Sequence, residues 1–147
     1  MKRSGFAFSL AIVLILLVGC NSQKKTKANE EYVTPLLETY WKLLSLHGEP
    51  MRVRGPREAY VIFKAVGGKV QGHGGCNSFQ GVLHGAKNNV YTVESLSSTE
   101  MACDALEIEQ EFFEVLRSDL IYVPSNDTLV FKDKDGKKIA TFEAVYF

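Results

Sequence analysis

A chain of 147 residues, 46% hydrophobic, 11% aromatic and 23% charged, holds apolar material for one modest core and too little for two. Its 17 basic and 17 acidic side chains cancel, so it lacks the basic footprint that nucleic-acid binding needs. The short run Lys24, Lys25 and Lys27 sits among polar residues and reads as solvated charge.

Lys2 and Arg3 precede an apolar run from Phe6 to Val18 that only Ser9 interrupts. The run is shorter than the roughly 20 residues a spanning helix needs, and it fits the central region of a signal peptide. It ends in Leu17-Val18-Gly19-Cys20, which resembles the lipobox of bacterial lipoproteins. The resemblance implies a signal peptide over residues 1–19 and lipidation of Cys20, which becomes the new N-terminus. An ordinary secretory signal or an uncleaved anchor is the alternative. Several acyl chains, at about 0.8 kcal/mol per buried methylene, would moor the protein durably to a membrane. Asn21, where Asp would retain an enterobacterial lipoprotein at the inner membrane, implies the outer membrane, facing the periplasm. Residues 20–35 then form a lipidated N-terminus and polar tether. Without Lys2 and Arg3 the mature chain keeps 15 basic residues against 17 acidic ones.

Lipidation of Cys20 leaves Cys76 and Cys103, an even pair in an oxidising compartment where disulfides persist. A bond between them would close a loop of about 28 residues and add about 3.5 kcal/mol on the chain-entropy model. Two buried free thiols are the alternative.

The folded domain is expected over residues 36–147. Residues 37–46 are the first ordered stretch, with Trp41, Leu43 and Leu46 as core candidates, and its short apolar run leaves strand and helix open. His47 to Pro50 reads as a turn, and residues 51–57, with Arg52, Arg54 and Arg57, as an exposed loop. Residues 59–66 are β-branched and aromatic, and Gly67-Gly68 joins them to residues 69–73 as a hairpin. Gly72 to Gly81 carries four glycines besides Asn77 and Ser78, which favours a compact turn over a ladder. Residues 82–84 and 90–94 make a second hairpin. Asp104 looks like a helix N-cap, with Glu107 in the capping-box position. Ile108, Phe112, Val115 and Leu116 then recur on one face of a helix over about 105–118. Residues 120–123, 128–132 and 139–146 close the chain as strands. About seven strands and one helix predict a mostly β fold, α+β by strict count: an antiparallel meander curled into a small barrel or half-barrel with the helix packed over it.

Trp41, then Gly75-Cys76-Asn77-Ser78-Phe79-Gln80-Gly81, then Ser98-Thr99-Glu100-Met101-Ala102-Cys103, with Glu109 and Phe112 in the helix, together resemble the META domain of the HslJ-like family of small bacterial envelope lipoproteins. The resemblance implies a compact β fold with one helix, in a family linked to heat shock, antibiotic tolerance, motility and virulence. It supplies no catalytic residue and no cofactor. Trp41, Gly75, Cys76, Asn77, Phe79, Gly81, Ser98, Thr99, Met101 and Cys103 read as fold-makers. The loop from Arg52 to Arg57 departs from the pattern.

Other chemistry finds little support. A Cys–His hydrolase would need a free Cys76 thiol within reach of His73. His73, Cys76, His84 and Cys103 have no recognised zinc spacing, so no metal is expected. Asp133-Lys134-Asp135-Gly136 lacks the calcium loop's closing glutamate. Glu107, Glu109, Glu111 and Glu114 read as a solvated helix face. The sequence thus predicts a non-enzymatic envelope lipoprotein, a binding or structural module for an unknown envelope protein or ligand. A carrier of small apolar ligands in a barrel cavity is the alternative.

Overall fold

The computed structural model describes residues 33–52, 55–87 and 90–147. The signal segment, Cys20 and the tether as far as residue 32 lie outside them. The described chain forms nine strands and one helix. The strands are β1 (Tyr40–Leu46), β2 (Glu49–Pro50), β3 (Tyr60–Phe63), β4 (Lys69–His73), β5 (Ser78–Lys87), β6 (Val90–Ser98), β7 (Leu120–Ser125), β8 (Thr128–Lys132) and β9 (Lys138–Val145), and α1 (Leu106–Arg117) lies between β6 and β7.

Each strand pairs antiparallel with its neighbour, in the order β2-β1-β3-β4-β5-β6-β7-β8-β9. One edge of β1 pairs with β9, from Tyr40↔Val145 to Leu46↔Ala140, and this closes the sheet into a ring. The other edge is divided: Trp41 and Lys42 pair with β3, Ser45 and Leu46 with β2. Closure settles the choice between barrel and half-barrel, and it leaves eight strands with few free edges. The ring is thinnest between β6 and β7, which share only Val90↔Ile121 and Tyr91↔Leu120, because the chain departs there to build α1.

Alternation of inward apolar and outward polar residues shapes the wall: every second residue of β3 and β8 is buried. Inside, Trp41, Phe63, Phe112, Phe131, Phe142 and Leu116 are fully buried. Phe131 stacks on Tyr122 at 4.2 Å and meets Phe142 at 4.5 Å. The centre of the barrel is thus taken up by side chains, with the Phe112 ring of α1 set against Phe142. The Tyr122 hydroxyl is buried with no hydrogen-bond partner among the described residues, and burial raises its pKa. Before β1, the Trp41 ring N–H donates to the Leu36 carbonyl at 3.0 Å, and the Thr34 hydroxyl donates to Asp127 at 2.8 Å.

Four local expectations need correcting. First, nine strands form rather than about seven, and the expected turn at His47 to Pro50 tightens. His47 and Gly48 take positive φ, so Glu49 and Pro50 return as β2. Second, the strand expected over residues 120–123 runs on through Pro124 and Ser125 as β7, and Asn126-Asp127 make the turn to β8, with Asn126 at φ 48°. Third, Gly72 and Gly81 lie in strands, so the glycine-rich turn shrinks to Gly74–Asn77. A Cβ on Gly72 would fall 2.1 Å from the Tyr60 carbonyl oxygen and 2.7 Å from the Phe79 ring. The missing side chain admits that ring, while Gly81 sits where β5 bulges against β6. Fourth, Asp104 does not cap α1. Ala105 is the N-cap and has no side-chain hydrogen bond. Cys103 fixes the first turn instead: its carbonyl accepts the Leu106 N–H at 3.1 Å, and its sulfur lies 3.4 Å from the Ala105 nitrogen.

Candidate functional site

The motif residues meet at one point, where the β4–β5 turn abuts the start of α1. A disulfide joins Cys76 to Cys103 with Cα atoms 5.7 Å apart, so these cysteines are bonded and not free thiols. Gly75 holds φ at +119°, a conformation L side chains rarely adopt. Its N–H donates to His73 Nδ1 at 3.0 Å, which leaves the neutral ring its proton on Nε2. Burial, reinforced by the Arg57 guanidinium, pushes the His73 pKa below its ordinary value, and nearby Glu109 partly opposes the shift.

Glu109 carries the largest correction. Expected on a solvated face, it is only 2% exposed. Its Oε2 accepts the backbone N–H groups of Cys76 at 3.0 Å and Asn77 at 2.6 Å, and its Oε1 accepts the Asn77 side-chain amide at 2.6 Å. These are charge-assisted bonds in a buried site, the strong kind. Asn77 passes the anchor on: its Oδ1 accepts the Met101 N–H at 2.6 Å and the Thr99 hydroxyl at 2.8 Å, and its Nδ2 also donates to the Met101 carbonyl. Carboxylate, amide and disulfide thus tie the turn to the segment 99–103 and to α1.

The remaining motif residues take separate places. Phe79 packs edge-on against Phe112 and Phe113. Ser98 ends β6 opposite Phe79. Met101 exposes its side chain and acts through its backbone alone. Trp41 lies in the core. Of the imagined zinc set, His84 stands exposed on β5 beside Glu94, at 3.6 Å. No group of three or more metal-binding side chains occurs among the described residues.

Beside the turn lies a pocket of about 210 Å³. Leu43, Met51, Ala59, Ala105 and Ile108 give it apolar walls, and the backbone of Gly74 and Gly75 forms one side. Gly55 seats the loop after β2 so tightly that a Cβ there would fall 2.4 Å from the Gly75 carbonyl oxygen. This loop presents Arg52 and Arg57, both exposed, to the pocket. Lys42 and Glu58 also line it. Glu58 accepts the Tyr40 hydroxyl at 2.9 Å and lies 3.5 Å from Lys42, which also meets Glu143 at 3.2 Å. Arg52, Gly55 and Arg57, unexplained by the motif, thus have a place: they line a pocket that the motif's own turn also lines.

The family model that matches this chain is that of the META domain, over residues 34–146. No curated protein matches at a significant level. Two NMR structures are similar. One is 20% identical, with a TM-score of 0.57, over 71% of this chain and 87% of the other. The second, of a protein from Burkholderia xenovorans, is 18% identical, with a TM-score of 0.56, over 82% of this chain and 97% of its own. At such identities the likeness concerns the fold alone.

Proposed function

The chain belongs to the META domain family, and from that premise we propose that it is a cell-envelope lipoprotein whose barrel is a non-catalytic binding module. Cys20 carries its lipid, its station is the periplasmic face of the outer membrane, and its service is to envelope stress or antibiotic tolerance. One observation carries the non-catalytic reading: the reactive-looking groups at the motif are consumed by the fold. Cys76 is bonded to Cys103, His73 Nδ1 is occupied by the Gly75 N–H, and both Glu109 oxygens accept backbone or amide protons. A nucleophile needs a free thiolate or hydroxyl with a base in reach, and none of these three offers it.

Ligand carriage moves from the barrel's filled centre to the pocket beside the turn, which has the apolar walls and few polar groups of a small-molecule site. Localisation of the wild-type chain against Cys20→Ser tests the anchor: the wild type should float with outer-membrane vesicles and the variant should not. Cross-linking in intact envelopes tests the module, and recovery of no specific partner or ligand would count against it.

A further inference from the structure

Resting on the binding-module reading, we infer that the pocket between the arginine loop and the glycine turn binds a small anionic amphiphile, a short acyl chain ending in a carboxylate. Three features converge on that chemistry. The walls are aliphatic, from Leu43, Met51, Ala59 and Ile108, and match a hydrocarbon tail. The volume of about 210 Å³ lies below the roughly 300–1,000 Å³ of drug-sized sites, which limits the tail to a few carbons.

The charge is also right. Arg52 and Arg57 form no ion pair within 4 Å among the described residues, and neither guanidinium is a hydrogen-bond donor there. Glu58, the acid in the pocket wall, is already engaged by Tyr40 and Lys42. Glu49 and Glu111 flank Arg52 in the neighbouring groove without closing a bridge to it. Two guanidiniums at the edge of an apolar cleft suit a carboxylate, whose two oxygens match the planar fork of arginine. The cleft is held open on both sides. Gly55 is pinned on Gly75, and Gly75 is held by the disulfide-linked, Glu109-anchored turn. Such a preformed wall lowers the ordering cost of binding.

The two methionines of the mature chain supply the probe, because Met51 lines the pocket while Met101 lies outside it, exposed after β6. The mature lipidated protein, labelled with [13C]methyl-methionine in phosphatidylcholine nanodiscs, is titrated with hexanoate, 1-hexanol, acetate and inorganic phosphate. Hexanoate should move the Met51 methyl resonance saturably and leave that of Met101 in place. Acetate and phosphate should not saturate the site. The Arg52→Gln/Arg57→Gln variant should bind hexanoate about tenfold or more weakly, as loss of a charge-assisted bond implies, with 1-hexanol binding unchanged. No saturable Met51 shift, equal affinity for hexanol and hexanoate, equal affinity for acetate or phosphate, or undiminished binding in the double variant would each overturn the inference. Turnover of p-nitrophenyl hexanoate by the same sample would defeat the non-catalytic reading instead, and leave the binding result standing.

Discussion

Replacing Glu109 by glutamine keeps the shape of the side chain and removes one acceptor. The carboxylate takes three N–H donors: two backbone groups on Oε2 and the Asn77 amide on Oε1. Glutamine can offer its single oxygen to the backbone pair, but its NH2 then faces Asn77 Nδ2, donor against donor. Asn77 cannot flip to relieve this, because its Oδ1 already holds the Met101 N–H and the Thr99 hydroxyl. A hydrogen bond to a charged group contributes about 1.5–3 kcal/mol, and an orphaned buried donor costs about 1–3 kcal/mol. Removing a buried charge recovers part of that through relief of desolvation. A net loss of about 3 kcal/mol is expected, a large share of the 5–15 kcal/mol typical of a domain. Urea unfolding with the disulfide intact measures it: at a slope near 1.5 kcal/mol per molar the midpoint should fall by about 2 M. Glu107→Gln and Glu111→Gln, on exposed positions, should stay within about 0.5 kcal/mol of wild type. If Glu109→Gln falls in that same narrow band, the carboxylate is not the anchor and the account of the turn is wrong.

The other expectations concern His73, the disulfide, Tyr122 and Gly72. His73 is held below its ordinary pKa of 6.5, so unfolding takes up a proton at mildly acidic pH. Stability present above pH 6.5 should therefore decline as pH falls through the folded-state value. In His73→Asn, which keeps an acceptor for the Gly75 N–H, that part of the decline should vanish from melting curves between pH 8 and 5. Replacing Cys76 and Cys103 together by alanine frees a loop spanning 27 positions and should cost about 3.5 kcal/mol by chemical denaturation; an unchanged midpoint would deny the staple its role. Tyr122→Phe deletes a buried hydroxyl that has no partner among the described residues, so calorimetry should show a gain of about 1 kcal/mol, and a loss would mean that the hydroxyl is satisfied. Gly72→Ala drives a Cβ into Tyr60 backbone and the Phe79 ring, and should cost about 3 kcal/mol or more, whereas Gly136→Ala, with open space around it, should cost about 1 kcal/mol. Equal losses at the two glycines would show that close approach does not explain Gly72.

The wall of the barrel was legible because its strands alternate cleanly and its turns carry their own chemistry, as at Gly67-Gly68. Lengths were less so. Residues 95–98 continue β6 although Ser95, Ser97 and Ser98 carry no strand signal, because Ser97 and Ser98 pair with Gln80 and Phe79 across a bulge. Helix capping failed at Asp104 for a comparable reason: a covalently held neighbour, Cys103, sets the first turn, and local side-chain preference loses to that constraint. Glu109 was within reach. It lies three, four and seven residues before Phe112, Phe113 and Leu116, all buried, so helical geometry puts it on the apolar face. An acid at such a position has to find internal donors, and the glycine-rich turn with its free N–H groups was the available source. The pocket could not be read at all. Leu43 and Arg57 are brought together by the pairing of β1 with β3, while Ile108 arrives much later in the chain on α1, and no local pattern joins the three.

The pairing of β1 with β9 also fixes the order in which this domain can be finished. Those strands lie nearly a hundred residues apart, so a chain arriving amino-end first must hold β1 unmatched along one edge until the last strand appears. Contacts so distant in sequence form slowly, since the closure entropy is met before they give anything back. During that interval Trp41 and Leu43 stand on an open ribbon, the state most exposed to proteases and to mispairing with other chains. A truncation just before Lys138 should accordingly leave no smaller, looser barrel, only an unfinished sheet.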